Sequence, residues 1–272
     1  MSSDGTISSS QYQFDHDWQR ERERLANMEA VFDPMTIQCL ATVGVGDGWN
    51  CLEVGAGGGS MVEWLAKRVA PSGRVVATDL QTKFLAAIDA SNVEVRQHNV
   101  LTDELESNAF DLVSARKVLE HLADPSPALQ RMVAAARPGG YVLVEDADMA
   151  SYRRVTTPRP ELFEKVYVAF LETMKASGFN PYLGVDLANL LRGAGLEEVQ
   201  LRGWTGEWTG APGDPTGAVY RLTFEKMRPK IIERGAITND EADHFLADVQ
   251  SPGFHAVTGI HFAAWGKKPK PA

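Results

Sequence analysis

Sulfur is scarce in this 272-residue sequence, which has two cysteines, Cys39 and Cys51. Two thiols give no disulfide framework, and Cys51, inside an apolar run, reads as a small core residue. Basic charge is also in short supply. Acids outnumber Lys and Arg by 36 to 27, a formal charge of −9. Such a balance argues against a nucleic-acid partner, whose phosphates are bound largely by Lys and Arg. The short Lys267-Lys268-Pro269-Lys270 run reads as a solvated end. No apolar run approaches the roughly 20 residues of a membrane span, and the polar Met1-Ser2-Ser3-Asp4-Gly5 start has no apolar signal region. The expectation is therefore a cytoplasmic chain with no membrane partner. Six histidines and two cysteines fall into no zinc-type spacing, so no metal is expected. Repeats and low-complexity linkers are missing too. With 44% apolar residues, a single domain over 1–272 can bury a substantial core.

What is present begins with Glu53-Val54-Gly55-Ala56-Gly57-Gly58-Gly59, a glycine-rich turn after the apolar run Asn50–Val54. Glycines permit positive φ and let a ligand approach bare backbone at the end of a strand. Ser60-Met61-Val62-Glu63 fits a capping box for the helix that follows, with Ser60 as N-cap, and Pro71-Ser72-Gly73 stops that helix. Next comes Arg74–Asp79, a β-branched strand ending in an acid. Asp79 stands 20 residues past Gly59, where a βαβ unit presents a carboxylate to ribose hydroxyls. The dinucleotide fingerprint G-x-G-x-x-G, with Gly or Ala in the last place, fails at position 60, which is Ser60, and so points away from NAD and FAD. Glu53 adds a carboxylate for which a phosphate cradle has no use.

On these residues the chain resembles the class I S-adenosylmethionine-dependent methyltransferases, from about Val31 to Trp265. The family's acid-x-Gly-x-Gly-x-Gly turn matches Glu53, Gly55, Gly57 and Gly59. The resemblance implies an α/β fold, a doubly wound and mainly parallel seven-stranded sheet of the Rossmann-like methyltransferase form with added helical lid elements. It implies S-adenosyl-L-methionine as cofactor, held by Glu53, Gly55, Ala56, Gly57, Gly59, Asp79, Leu80, Asn99, Val100 and Arg116. Asn99 stands where the family usually has an Asp that accepts the adenine amine; an amide carbonyl can accept that bond without a charge. Further strands are expected at Val93–Gln97, Ala109–Ala115, Tyr141–Glu145 after an Arg137–Gly140 turn, Gly195–Leu201 and His255–Trp265.

Helices precede and interrupt this core. One is expected from about Phe14 to Val31 and a second from the Asp33-Pro34 cap, giving N-terminal capping helices over 12–43. Tyr12, Phe14, Trp18 and Arg24 are candidate lid residues, with Tyr12 and Arg24 candidates for cofactor contact; Tyr12 reads equally as packing on the sheet, and Trp18 more readily so. Helices are expected over Glu161–Ser177 and Asp186–Arg192. A lid insertion spans 204–254, starting as a loop at Trp204–Gly213 and continuing as helices over Ala218–Arg234 and from a Thr238 capping box. Its aromatics either line an apolar substrate pocket or glue the helices to the core.

Methyl transfer to a protonated nucleophile calls for a base, and His121 and Glu145 are the catalytic candidates. His121 either takes a hydroxyl proton or packs its helix; Glu145 either enters the substrate cavity or ends its strand; His261 reads as structural. The expected partner is a small apolar or aromatic methyl acceptor, methylated at O, C or N, with a homodimer left open. Two alternatives stand beside this: a cofactor-assisted cyclisation or decarboxylation on the same fold, and a non-catalytic cofactor-sensing module.

Overall fold

The computed structural model describes residues 16–151 and 155–271; Tyr12 and Phe14 lie outside the described residues. Helix α1 (Glu21–Val43) leads into β1 (Asn50–Val54), α2 (Ser60–Val69), β2 (Arg74–Asp79), β3 (Val93–Gln97) and β4 (Phe110–Arg116). Then follow α3 (Ser126–Ala135), β5 (Ala136–Asp148), the two-residue β6 (Val155–Thr156), α4 (Pro160–Lys175) and α5 (Leu187–Gly193). The chain continues through β7 (Glu197–Trp204), β8 (Glu207–Thr209), α6 (Pro215–Glu233), α7 (Asn239–Val249), β9 (His255–Val257) and β10 (Ile260–Lys267).

The main sheet has seven strands in the order β3-β2-β1-β4-β5-β10-β7. Its first five strands run parallel, and β10 is antiparallel to both β5 and β7. Strands covered on both faces read as continuous apolar runs, because successive side chains point to opposite sides. Leu52, Val76, Val113 and Val142 pack on one face with Leu129 and Met132 of α3 and Leu187 and Leu191 of α5. Their chain neighbours Cys51, Val75, Leu112 and Leu143 pack on the other with Cys39 and Leu40 of α1 and Val62 and Leu65 of α2. A third cluster joins α4, α6 and α7 through Phe163, Phe224 and Phe245, with Trp208 and Phe254.

Several local expectations give way to tertiary contacts. The two N-terminal helices are one, starting at Glu21 and running through Pro34. Asp33 does not cap a second helix because its Oδ1 accepts from Arg116 Nη2 at 2.8 Å and from Ser60 Oγ at 3.1 Å. Ser60 is accordingly no N-cap: that position belongs to Gly59 in a left-handed conformation, with no side-chain cap bond. The Arg137–Gly140 turn lies within β5, which shifts register between Phe110 and Leu112 of β4. A Cβ on Gly140 would sit 2.8 Å from the Phe110 carbonyl oxygen, so the close approach at that shift requires glycine. The strand foreseen at 195–201 runs from Glu197 to Trp204.

The last strand is two. At Thr258-Gly259 the chain leaves β9, which pairs with β6 and β8 in a small three-stranded sheet, and enters β10 of the main sheet. The Trp204–Gly213 stretch is therefore not all loop, since β8 lies in it. The capping box at Thr238 forms, with Thr238 Oγ accepting from the Glu241 N–H at 3.2 Å. The basic end is held rather than loose: Gly139 N–H donates to the Lys268 carbonyl at 2.8 Å, and Lys268 Nζ donates to Asn108 Oδ1 at 2.8 Å. Among the described residues no helix is long and apolar enough to cross a membrane.

Candidate active site

The turn between β1 and α2 is built to expose backbone. Gly55, Gly57 and Gly59 all have positive φ, at 70°, 55° and 93°. A Cβ on Gly55 would run into Val118, and one on Gly59 would lie 2.9 Å from Ile88 Cδ1. The Gly55 and Ala56 N–H groups donate to the Thr78 carbonyl at 2.8 and 3.0 Å, pinning the turn to β2. Asp79, at the end of β2, accepts from Gly57 N–H at 2.9 Å and from Gln81 N–H at 3.0 Å. Both carboxylate oxygens are thus aimed by the backbone before any ligand arrives.

Beside this turn lies a cavity of about 220 Å³ at the carboxyl ends of β1, β2 and β4, the usual ligand position in an open α/β sheet. Of the residues expected from the sequence, Arg24, Gly55, Gly57, Asp79, Leu80, Asn99, Val100, Arg116 and His121 line it. Glu53, Ala56, Gly59 and Glu145 are not among its lining residues. Glu53 is buried behind the turn, where its carboxylate accepts from Ser114 Oγ, and burial raises its pKa. Asn99 Oδ1 is already engaged, accepting from the Leu101 N–H at 3.0 Å. Arg116 bridges to α1 through Thr36 Oγ at 2.8 Å and Asp33.

Glu145 stands one layer back, under α1. Its Oε2 accepts from Thr36 Oγ at 2.9 Å, its Oε1 has no hydrogen-bond partner, and burial pushes its pKa up to about 7. Next to it, Glu120 and Asp146 are both buried and both raised, each by loss of water and Asp146 further by the Glu120 carboxyl. His121 sits in a single 3-10 turn (Leu119–His121) with its ring 5.1 Å from Phe179. Burial, then the ammonium of Lys117, depress it to about 3, so the ring is neutral at physiological pH.

Ion pairs join α6 to the start of α1. Arg20 Nη1 of the segment before α1 meets Glu225 Oε2 of α6 at 2.5 Å, and Lys226 Nζ meets Glu21 Oε2 at 2.9 Å. Glu21, Arg24 and the Lys226 side chain are all buried, and Glu21 also accepts from Arg24 Nη2 at 2.6 Å. Beyond these charges the cavity turns apolar, with Met28, Phe32, Phe170, Met174, Phe179 and Tyr220.

Several lining residues were not singled out from the sequence. His16 and His98 each carry a buried Nδ1 without a partner, and Glu120 and Lys117 also face the cavity. His16 falls within the helix expected from about Phe14, but the helix begins only at Glu21, and the His16 N–H donates instead to Gln81 Oε1 at 2.5 Å, 65 residues away. Lys117 and Glu120 stand between Arg116 and His121, the two residues of this segment singled out from the sequence. Among the described residues no group of three or more His, Cys, Asp or Glu is placed to hold a metal ion.

A family model described as a methyltransferase domain matches residues 11–201. Among curated proteins, the methyltransferase str3 of Strobilurus tenacellus is 30% identical over 165 residues, 60% of this chain and 58% of the relative. The ubiquinone biosynthesis O-methyltransferase of Cupriavidus pinatubonensis is 29% identical over 171 residues, 58% of this chain and 64% of the relative. The match therefore spans about three fifths of these relatives' length. Among solved structures, a phosphoethanolamine N-methyltransferase 2 from Haemonchus contortus, in complex with S-adenosyl-L-methionine, superposes with a TM-score of 0.60. It is 18% identical, over 98% of this chain and 61% of that one. A methyltransferase structure from Bacillus halodurans gives 0.56 at 19% identity, over 86% and 98%. The sheet is that of the Rossmann-like methyltransferase fold, and with well over half its length matched by the family model, the chain belongs to the methyltransferase family.

Proposed function

We propose that this chain is an S-adenosylmethionine-dependent methyltransferase acting on a small apolar or aromatic molecule. One observation carries the reading: a single cavity has two unlike ends. Bare glycine backbone and an aimed carboxylate make one end, and an apolar, aromatic-lined recess under α1, α4 and α6 makes the other.

The residues present suit an adenosyl sulfonium ligand. Gly57 leaves its backbone open, since the nearest atom to an added Cβ is Leu25 Cδ2 at 3.7 Å. Asp79 keeps lone pairs beyond those used by the two N–H groups, as ribose hydroxyls require. Leu80, Asn99 and Val100 would flank the adenine, and Arg24 would face the amino-acid carboxylate. When bound, the cofactor supplies a methyl group already activated by positive charge on sulfur. The protein's task is then to orient the acceptor and exclude water. A neutral His121 with so low a basicity serves better as a hydrogen-bonding guide for the acceptor than as a proton store. Glu145 acts at one remove, positioning Arg116 and α1 through Thr36.

Two relatives named as methyltransferases for ubiquinone biosynthesis and from Strobilurus support an organic acceptor, and the first supports oxygen as its nucleophile. The test is calorimetric titration with S-adenosylhomocysteine, then incubation with S-adenosylmethionine and a panel of small phenols, with mass spectrometry for one added methyl. Saturable S-adenosylhomocysteine binding is expected; its absence would overturn the proposal.

A further inference from the structure

At the acceptor end of the cavity, two polar groups pack on one aromatic ring. Lys117 Nζ lies 5.3 Å from the centre of the Phe32 ring, and the His261 ring centre lies 4.5 Å from it. Both residues line the cavity. His261 is 8% exposed, and its Nδ1 is buried without a hydrogen-bond partner. A buried polar atom left unpaired costs about 1–3 kcal/mol, so its presence in a ligand cavity points to a partner brought by the ligand. Lys117 has a backbone φ of 58°. That region is costly for a side-chain-bearing residue, and strain of this kind gathers at functional sites. The Lys117 side chain is 14% exposed, and its nearest carboxylate oxygen, Glu120 Oε2, is 3.6 Å from Nζ.

We propose that Lys117 and His261, both packed on Phe32, form an oxyanion site that takes a phenol- or enol-type hydroxyl and holds it deprotonated, its proton leaving to solvent. The proposal rests on the methyltransferase reading above and narrows its acceptor to an acidic hydroxyl on a flat apolar body. The charged and titratable groups facing Lys117 are Glu120 and His121 on its own turn, Glu145 and Asp146 on β5, and His261 on β10. Burial pushes all three carboxyls up, which weakens their claim on the ammonium. Burial and that same ammonium push both imidazoles down, so neither histidine is fit to keep a hydroxyl's proton. The ammonium's share of that push favours a phenolate, while burial, the larger share, disfavours any ion, so the pairing with Lys117 is what has to hold the oxyanion. Arg116, the other cation nearby, is committed to Thr36 and Asp33.

The experiment uses 4-nitrophenol, whose phenolate absorbs in the visible, titrated with pH on the full chain saturated with S-adenosylhomocysteine. Bound 4-nitrophenol is expected to ionise at least tenfold more readily than free, a fall of about one pKa unit. Lys117→Met should abolish that fall while S-adenosylhomocysteine affinity and circular dichroism are kept, and His261→Phe, which preserves the ring, should weaken binding of the phenolate. The wild-type measurement alone can sink the idea, whatever the variants' folding. An unshifted bound phenol, or no saturable phenol binding by a chain that does bind S-adenosylhomocysteine, overturns this site and leaves the methyltransferase reading standing. Failure to bind S-adenosylhomocysteine overturns both.

Discussion

Replacing Glu145 by Gln should make the protein more stable, and only above a defined pH. In the native chain Glu145 keeps its proton up to about 7, whereas an ordinary carboxyl of this type gives it up near 4.5. Between those values the unfolded chain has lost the proton and the folded chain has not, so the wild type loses stability as pH rises. The slope is about 1.4 kcal/mol per pH unit for one proton, and the window gives a ceiling of about 3 kcal/mol. Below pH 4.5 both states are protonated and the penalty vanishes; above 7 it is constant. The Gln carbonyl can still accept from Thr36 Oγ, whose own oxygen takes the Arg116 N–H, so the chain of bonds survives. Glu120 and Asp146, also raised, are present in both proteins and cancel to first order. Urea denaturation of both proteins from pH 4 to 9 measures the difference. Glu145→Gln should match the wild type at the acid end and exceed it by up to about 3 kcal/mol at pH 8. A difference that does not vary with pH would refute the reasoning, as would a variant weaker than wild type at pH 8. Either would mean that the native carboxylate is ionised and sustained by Arg116.

Asp79→Ala removes the acceptor for two backbone N–H groups and, on the proposed reading, for a ribose hydroxyl, and should weaken S-adenosylhomocysteine binding by about 1–3 kcal/mol by calorimetry; unchanged affinity would refute the assignment. Gly57→Val forces a β-branched residue to φ 55° on the cavity wall and should cost at least about tenfold in the same titration. His121→Ala should lower turnover with affinity for S-adenosylhomocysteine kept, and the loss should not follow protonation near pH 6–7, because the ring is neutral throughout that range; a kcat profile that loses an ionisation there would contradict it.

The central sheet was legible because strands buried on both faces leave continuous apolar runs. Asn50–Val54 and Arg74–Asp79 end where the sequence places them, as does Val93–Gln97, a half-exposed strand at the sheet edge. The glycine turn and Asp79 were legible because backbone geometry restricts which residues can stand there. What failed depended on partners distant in sequence. Ser60 and Asp33 have the chemistry of helix caps, yet they bond to each other across 27 residues, a competition that no local pattern records. The β9–β10 break was hidden because alternation continues across Thr258-Gly259 while the strand changes sheets. Glu53 and Glu145 were recognised as unusual, but not that they would face inward, since the sequence marks the end of a strand and not the side of the turn that solvent or ligand reaches. His16 fell inside the expected first helix and His98 just past an expected strand, and nothing in either position marked it as a cavity residue.

The ion pairs that close α1 against α6 give the cover a property that a greasy seal would lack. Glu21, Arg24 and Lys226 gave up their hydration to meet in the closed state, and much of that loss is recovered when water returns to them. Parting these charges would sacrifice attraction and regain solvation together, so the ion pairs themselves contribute little net free energy to holding α1 against α6, and the apolar contacts around them carry the rest.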